Sequence, residues 1–252
     1  MAKRTTYLAT AAILALAELS GSSVNAATIF STGFEPPNYT AGPLAGQQGW
    51  SDSGGTVETG TVFTGVQAVG YDATGVSSQT INGIGVPTAG QGSLVQASDE
   101  FFVGALNGSV GWNPLVLFGN TGFLAEILIQ NGIATFGFDS TFVGAIPVSI
   151  GVWNNYTMDV NFATGSISGF VDGVLIGTGP LPIGSTDVDG IELGINSASG
   201  STAQGFVDNL SVTSSATPAV PEPSIWAMML IGFAGLGYVG SRQTKRASPA
   251  LL

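Results

Sequence analysis

Carboxylates are the only charged side chains across most of this 252-residue sequence. The chain contains no His and no Cys, and no Lys or Arg lies between Arg4 and Arg242. Nucleophiles that depend on His and Schiff bases on Lys are therefore excluded from this stretch. Paired carboxylates, which glycosidases use as acid and base, are the remaining route to catalysis. The candidate acids are Asp99, Glu100, Glu126, Asp187, Asp189 and Glu192.

These acids also have an ordinary explanation, because turns and solvated strand faces carry isolated Asp and Glu. We therefore expect no enzymatic activity. The alternative is a carboxylate-dependent glycan hydrolase or lyase. Two carboxyl groups about 5–9.5 Å apart in a groove with aromatic rings would favour that alternative.

Aromatic side chains are the residues that would bind a sugar, because their rings stack on pyranose faces beside hydrogen-bonding groups. Each large aromatic residue has a structural alternative, which is a place in the core. Trp112 follows a glycine and precedes Asn-Pro, which is a loop-like setting. We take Trp112, Trp50 and Tyr71 as the candidate glycan-binding residues, with Trp153 and Tyr156 as further large aromatics.

Charge separates the chain into three parts. Lys3 and Arg4 precede the apolar stretch 7–19, and small residues end at Ala26, which is typical of a secretory signal peptide over 1–26. All acidic residues except Glu18 and Glu222 lie in the stretch 27–218, which gives it a net charge of about −14. We expect no nucleic-acid partner, because phosphate contacts need cations.

The apolar run 225–239 is followed directly by Arg242, Lys245 and Arg246. As a helix, its 15 residues reach about 22 Å, short of the roughly 30 Å of a bilayer core, so the flanks must take part. We expect a transmembrane helix over 225–241, with its cationic end in the cytoplasm. A Ser/Thr/Pro-rich linker, 213–219, argues against a buried hairpin of the main domain.

The ordered combination in 220–246, "PEPSIWA", an apolar Met-rich helix and a terminal cationic cluster, resembles the PEP-CTERM sorting signal in its PEPxxWA variant. The resemblance implies recognition and cleavage by an exosortase, transient anchoring in the inner membrane, and release to the cell surface or outside the cell. Such systems accompany exopolysaccharide production. The recognition residues it implies are Pro221, Glu222, Pro223, Trp226 and Arg242.

The stretch 27–212 has the alternation of β-strands. Residues 156–162 alternate apolar and polar side chains, and Asn131-Gly132 and Asp172-Gly173 are typical two-residue hairpin turns. Many short strands with Gly-rich turns indicate a sandwich or barrel. We expect an all-β fold, an antiparallel jelly-roll β-sandwich, flanked by the signal helix and the transmembrane helix.

Two local patterns resemble known jelly rolls. Trp153 followed by "FVDG" at 170–173 is similar to laminin-G or concanavalin-like domains, and the ends 33–35 and 206–212 resemble carbohydrate-binding jelly rolls. The resemblance implies a structural calcium ion held by Glu35 and Asp208, although no cofactor is required. We therefore expect a surface-sorted, non-catalytic protein with a structural or glycan-binding role in an exopolysaccharide matrix.

Overall fold

The computed structural model describes residues 26–51, 54–74, 79–105, 109–199 and 201–215. Fifteen strands form in this part of the chain. In order they are β1 (Ala27–Thr32), β2 (Gly42–Pro43), β3 (Gly55–Glu58), β4 (Ala68–Asp72), β5 (Thr80–Gly85), β6 (Leu94–Val103), β7 (Ser109–Gly119), β8 (Gly122–Gln130), β9 (Ile133–Phe138), β10 (Thr141–Pro147), β11 (Trp153–Asn161), β12 (Ser166–Val171), β13 (Val174–Pro180), β14 (Gly190–Ser199) and β15 (Gln204–Ser215).

The strands form two antiparallel sheets that pack face to face. One sheet has nine strands in the order β13-β12-β11-β6-β15-β4-β3-β2, with β1 also paired to β15. The other has six strands in the order β10-β9-β8-β7-β14-β5. The predicted all-β jelly-roll sandwich is confirmed, and the predicted terminal helices lie outside the described residues.

Hairpins join β8, β9 and β10 in the six-stranded sheet and β11, β12 and β13 in the nine-stranded sheet. Asn131 and Gly132 have φ values of 53° and 74°, and Asp172 and Gly173 have φ values of 49° and 74°. Two consecutive residues with positive φ produce the turn whose twist matches that of the flanking strands. These turns join β8 to β9 and β12 to β13, as the sequence predicts.

The core lies between the inward faces of the two sheets. Along β6, Val95, Ala97, Phe101 and Val103 are fully buried while the residues between them are more exposed, because successive side chains of a strand point to opposite faces. The same alternation runs along β11. The side chain at position 99, between Ala97 and Phe101, also points inward although it is an aspartate.

Strand β15 is central to the larger sheet, because β6 pairs along one side of it and β4 and β1 share the other. A β-bulge places Asn209 and Leu210 opposite the single residue Asp99, which keeps the apolar side chains on either side of the bulge in the core. The strand continues to Ser215, three residues into the predicted linker. Ser214 pairs with Val95 of β6, and its hydroxyl also donates to the carbonyl of Leu94 at 3.0 Å.

Candidate aromatic and acidic site on the nine-stranded sheet

Four aromatic side chains form a continuous row on the outer face of the nine-stranded sheet. Trp153 on β11 pairs with Phe102 on β6, and Phe102 pairs with Phe206 on β15. The ring centroids of these two pairs lie 5.6 Å and 5.9 Å apart. Phe63, from the segment before β4, places its ring 5.6 Å from that of Trp153. We call Phe63, Phe102, Trp153 and Phe206 the aromatic row.

The aromatic row is anchored at one end and open at the other. Phe206 is buried, Phe102 and Trp153 are half-buried, and Phe63 is 42% exposed. Offset and edge-to-face rings at these separations stabilise one another, so the row is a preformed surface. The exposed parts of Phe63, Phe102 and Trp153 are therefore the part of the row that a ligand can reach.

A row of polar side chains lies beside the aromatic row on the same strands. Asn155 on β11 pairs with Glu100 on β6, which pairs with Asp208 on β15. Asn155 donates from Nδ2 to Oε1 of Glu100 at 3.1 Å, and its backbone N–H donates to Oδ1 of Asp172 at 2.8 Å. Thr157 donates to Oδ1 of Asn155 at 2.9 Å, which orients the amide. We call Glu100, Asn155, Asp172 and Asp208 the polar row.

Crowded carboxylates define the electrostatics of the polar row. Burial raises the pKa of the Glu100 carboxyl, the Asn155 hydrogen bond lowers it, and the charges of Asp172 and Asp208 raise it. Burial is also the largest cause of the raised pKa of Asp208. With no Lys, Arg or His between residues 5 and 241, these acids have no cationic side chain as a partner in that stretch. The row therefore attracts hydrogen-bond donors and cationic groups.

Asp208 fixes the segment that carries Phe63. Its Oδ2 accepts the backbone N–H groups of Phe63 and Thr64, each at 3.1 Å. Its Oδ1 accepts the N–H of Asn209 at 2.7 Å. These donors lower the pKa of Asp208, in opposition to burial and to the charge of Glu35. The side chain of Asp208 is fully buried, so it positions the aromatic row but does not itself face solvent.

The predicted calcium ligands Glu35 and Asp208 converge on the same segment. Oε1 of Glu35 accepts the backbone N–H groups of Val66 and Gln67 at 2.9 Å and 3.1 Å. Backbone donors stabilise these carboxylates in the way that a cation would. Ca²⁺ takes about six to eight oxygen ligands, and no group of three or more acidic side chains in the described ranges is arranged to hold a metal. Calcium binding at Glu35 and Asp208 stays a prediction.

The aromatic residues predicted to bind glycan lie in the core. Trp50, Tyr71 and Trp112 are 2%, 1% and 0% exposed. A buried ring offers no face to a sugar, so the prediction that these three form a stacking surface is wrong. The sequence predicted a loop at Trp112 because Asn113 and Pro114 follow it. In the structure, β7 continues through both residues, with a register shift at this point.

The other candidate acids lie away from the aromatic row, in the core, in hydrogen bonds with neighbouring strands and loops, or on β14 and the segment before it. Asp99 is fully buried on β6. Glu126 accepts a side-chain amide N–H at 2.7 Å, and Asp187 accepts a backbone N–H at 2.9 Å. Asp189 is exposed in the segment before β14, and Glu192 is half-buried on that strand. Of the six candidate acids, only Glu100 therefore lies beside the aromatic row.

The predicted sorting residues Pro221, Glu222, Pro223, Trp226 and Arg242 lie outside the described residues, as does the predicted transmembrane helix 225–241. Within the part of the chain that the structure describes, no helix is long and apolar enough to cross a bilayer. The profile of the family described as "PEP-CTERM protein-sorting motif" matches residues 219–246, which confirms the predicted motif. A motif of this kind indicates export and a C-terminal sorting signal.

Solved structures share the sandwich. "Cellulose induced protein, Cip1" superposes with a TM-score of 0.52 at 15% identity, covering 76% of this chain and all of that one. The binding domain of botulinum neurotoxin serotype C1 gives 0.52 at 14% identity, covering 75% of this chain and 49% of the other. A carbohydrate esterase of the Shiga toxin-encoding bacteriophage phi24B gives 0.51 at 18%, covering 76% and 100%. No curated protein sequence matches at a significant level. The comparisons therefore show a sorting motif at residues 219–246 and a sandwich fold that binding domains and enzymes share.

Proposed function

We propose that this chain is a surface protein, sorted through its C-terminal motif by an exosortase, whose sandwich binds exopolysaccharide without catalysis. The observation that carries the proposal is the partly exposed aromatic row lying beside the polar row on one face of the sheet. Stacking surface next to amide and carboxylate groups is the combination that holds a pyranose ring. The similar structures of a carbohydrate esterase and of a cellulose-induced protein support a carbohydrate setting for the fold.

The negative charge of the domain determines which charge class of polysaccharide it can bind. The stretch 27–218 carries about fourteen negative charges and no basic residue. Uronate-rich and sulfated polymers are repelled by such a surface, whereas neutral and amine-bearing polymers are not. The proposed ligand is therefore a neutral or amino polysaccharide of the matrix.

Native gels cast with polysaccharide test the proposal. The full-length chain, purified in mild detergent, is run in each gel, and the retardation of its migration is measured. A neutral β-glucan, chitosan and alginate supply the three charge classes. We expect retardation by the neutral or the amino polymer and none by alginate. Replacing Phe63 with alanine should weaken the retardation about five- to thirtyfold, which corresponds to roughly 1–2 kcal/mol.

Phe123→Ala is the matched control, because Phe123 is also an exposed phenylalanine, 36% exposed, but lies on the six-stranded sheet. Equal effects of Phe63→Ala and Phe123→Ala would refute a site at the aromatic row. Free migration in all three gels would refute glycan binding by these polymer classes.

Sorting makes a separate prediction about the ends of the mature protein. We expect intact-mass analysis of the protein from its native host to show a new N-terminus at Ala27 and loss of residues beyond the Pro221–Pro223 segment. The transient anchor in the inner membrane requires the cationic end to stay inside until cleavage. A mature protein that still ends in Leu252 would contradict processing by an exosortase.

The hydrolase or lyase alternative has one geometric feature in its favour. Glu100, whose pKa is raised, lies near Asp172 beside the aromatic row. Asp208 cannot serve as the second group, because it is fully buried and both its oxygens accept backbone N–H groups. Release of reducing ends or unsaturated ends from the retained polymer, abolished by Glu100→Gln, would establish the enzyme and overturn the non-catalytic proposal.

A further inference from the structure

The polar row runs straight across the strands of the nine-stranded sheet. Asn155 on β11 lies directly opposite Glu100 on β6, which lies directly opposite Asp208 on β15. Asp172, which follows β12, continues the line beyond Asn155: its N–H donates to the carbonyl of Asn155, and its Oδ1 accepts the N–H of Asn155, each at 2.8 Å. Neighbouring strands lie about 4.8 Å apart, so the row presents one polar side chain per strand at that interval.

Apolar side chains border the outer part of the polar row on both sides. Trp153 and Phe102 lie two residues toward one end of β11 and β6. Phe170 on β12 pairs with Thr157 on β11, and Leu175 on β13 pairs with Phe170, which places both two residues toward the other end. Phe170 is half-buried and Leu175 is 50% exposed. Two residues of a strand span about 7 Å, so the polar row is the floor of a band about 14 Å wide between apolar borders.

The band is closed at one end and open at the other. Asp208 is fully buried and accepts the backbone N–H of Phe63 at 3.1 Å, so the segment that carries Phe63 covers the β15 end of the polar row. At the opposite end, β13 is the edge strand of the sheet. Between these ends, Glu100 and Asn155 are half-buried and Asp172 is exposed. A ligand can therefore reach three polar side chains, one from each of three neighbouring strands.

The regular interval of these groups favours a ligand that repeats. Among the described residues, Asn155 alone donates to the carboxylate of Glu100, and it uses Oε1. Oε2 of Glu100 and the exposed carboxylate of Asp172 can accept sugar hydroxyl groups, and hydrogen bonds to carboxylates are about twice as strong as neutral ones. The units of an extended, equatorially linked pyranose chain repeat at close to the spacing of neighbouring strands. An axially linked chain coils, which takes its successive units out of line with the row.

We propose that the polar row binds three successive units of an extended, equatorially linked polysaccharide that lies across the strands, between the aromatic row and the Phe170–Leu175 pair. The inference rests on the proposed glycan-binding function and specifies its substrate class. Each unit meets one polar side chain of the row. Trp153 and Phe102 contact one side of the chain, and Phe170 and Leu175 contact the other.

Calorimetric titration of the full-length chain, purified in mild detergent, with oligosaccharides of increasing length tests the proposal. Cello-oligosaccharides and chitosan oligosaccharides are the equatorially linked series, and malto-oligosaccharides are the axially linked series. In an equatorially linked series we expect the affinity to rise about two- to tenfold with each unit up to the trimer, for one added hydrogen bond per unit, and then to level off. Malto-oligosaccharides that gain affinity as steeply would overturn the proposal, as would affinities that do not depend on length.

Leu175→Ala tests the border that the proposal adds to the site. Because Leu175 is half exposed, its truncation removes contact area for the ligand, and we expect the trimer to bind about two- to eightfold more weakly. Ile183→Ala is the matched control, because Ile183 is a fully exposed aliphatic residue between β13 and β14. Its affinity for the trimer should equal that of the wild-type chain. Unchanged trimer binding by Leu175→Ala would contradict the placement of the chain.

The polysaccharide gels distinguish failure of this inference from failure of the proposed function. Retardation that Phe63→Ala weakens, together with equal binding of cello-, chitosan and malto-oligosaccharides, would overturn the inference and leave the proposed function standing. Free migration in every gel, together with no binding of any oligosaccharide, would refute both.

Discussion

Replacing Asp99 with asparagine is expected to reduce the pH dependence of stability. Asp99 is fully buried, and neither carboxyl oxygen has a hydrogen-bond partner among the described residues. Burial raises the pKa of Asp99 well above its usual range, and the charge of Glu100 raises it further. The groups that face it from neighbouring strands, Tyr71 and Tyr156, have raised pKa values and stay neutral.

The sign of the effect follows from proton binding. Because the pKa of Asp99 is higher in the folded state than in the unfolded state, the folded state binds the proton more tightly. Its contribution to the free energy of unfolding is complete below about pH 3.9 and is lost as pH rises through the folded-state pKa. Each unit of difference in pKa is worth about 1.4 kcal/mol.

Three half-buried acids act in the same direction, because burial also raises the pKa of Glu58, Glu100 and Glu126. Asp72 acts against them, because hydrogen bonds from Thr74 lower its pKa. The difference between the wild-type chain and Asp99→Asn isolates one carboxyl group. That difference can grow by at most about 1.4 kcal/mol per pH unit, because a single proton is involved.

Urea unfolding followed by tryptophan fluorescence, from about pH 4 to about pH 8, measures this difference. We expect Asp99→Asn to become the more stable protein toward the alkaline end, where the wild-type chain must bury a charge. The two free energies of unfolding should converge toward the acidic end. Curves that stay parallel over the whole range would refute the reasoning.

Three further predictions concern the segment 63–67 and the composition. Asp208→Ala should lower the free energy of unfolding by about 2–4 kcal/mol in urea titrations, because it leaves three backbone N–H groups without an acceptor; a loss below about 0.5 kcal/mol would show that water replaces the carboxylate. EDTA tests calcium binding at Glu35 and Asp208: a clear drop in the melting temperature would establish the ion, and an unchanged melting temperature would show that the backbone donors suffice. Trypsin should leave 27–241 uncut even in urea, because that stretch contains no Lys or Arg.

Local sequence predicted the hairpins correctly because their turns are determined locally. Asn131-Gly132 and Asp172-Gly173 adopt positive φ at little cost, and the flanking alternation fixes which face is buried. The first half of the sandwich was not predicted in detail, because β4 and β6 pair with β15, far away in the sequence. The extension of β15 to Ser215 depends on contacts with Leu94 that composition does not reveal.

The site was harder to predict than the fold. The aromatic row combines Phe63, Phe102, Trp153 and Phe206, which come together only through the pairing of β11, β6 and β15. One signal was available: Phe101 and Phe102 are adjacent, so one of the two must point to the outer face of its strand. An apolar ring on an outer face is the observation that would have suggested a binding surface.

Indole N–H resonances in an amide-correlation NMR spectrum test the central claim most directly. The chain has four tryptophans, of which Trp50 and Trp112 are buried and Trp153 belongs to the aromatic row. Titration with an oligosaccharide of the retained polymer should shift the resonance of Trp153 and leave those of Trp50 and Trp112 in place. Saturating oligosaccharide that leaves Trp153 unchanged, or that moves the two buried indoles instead, would contradict a glycan site on this face.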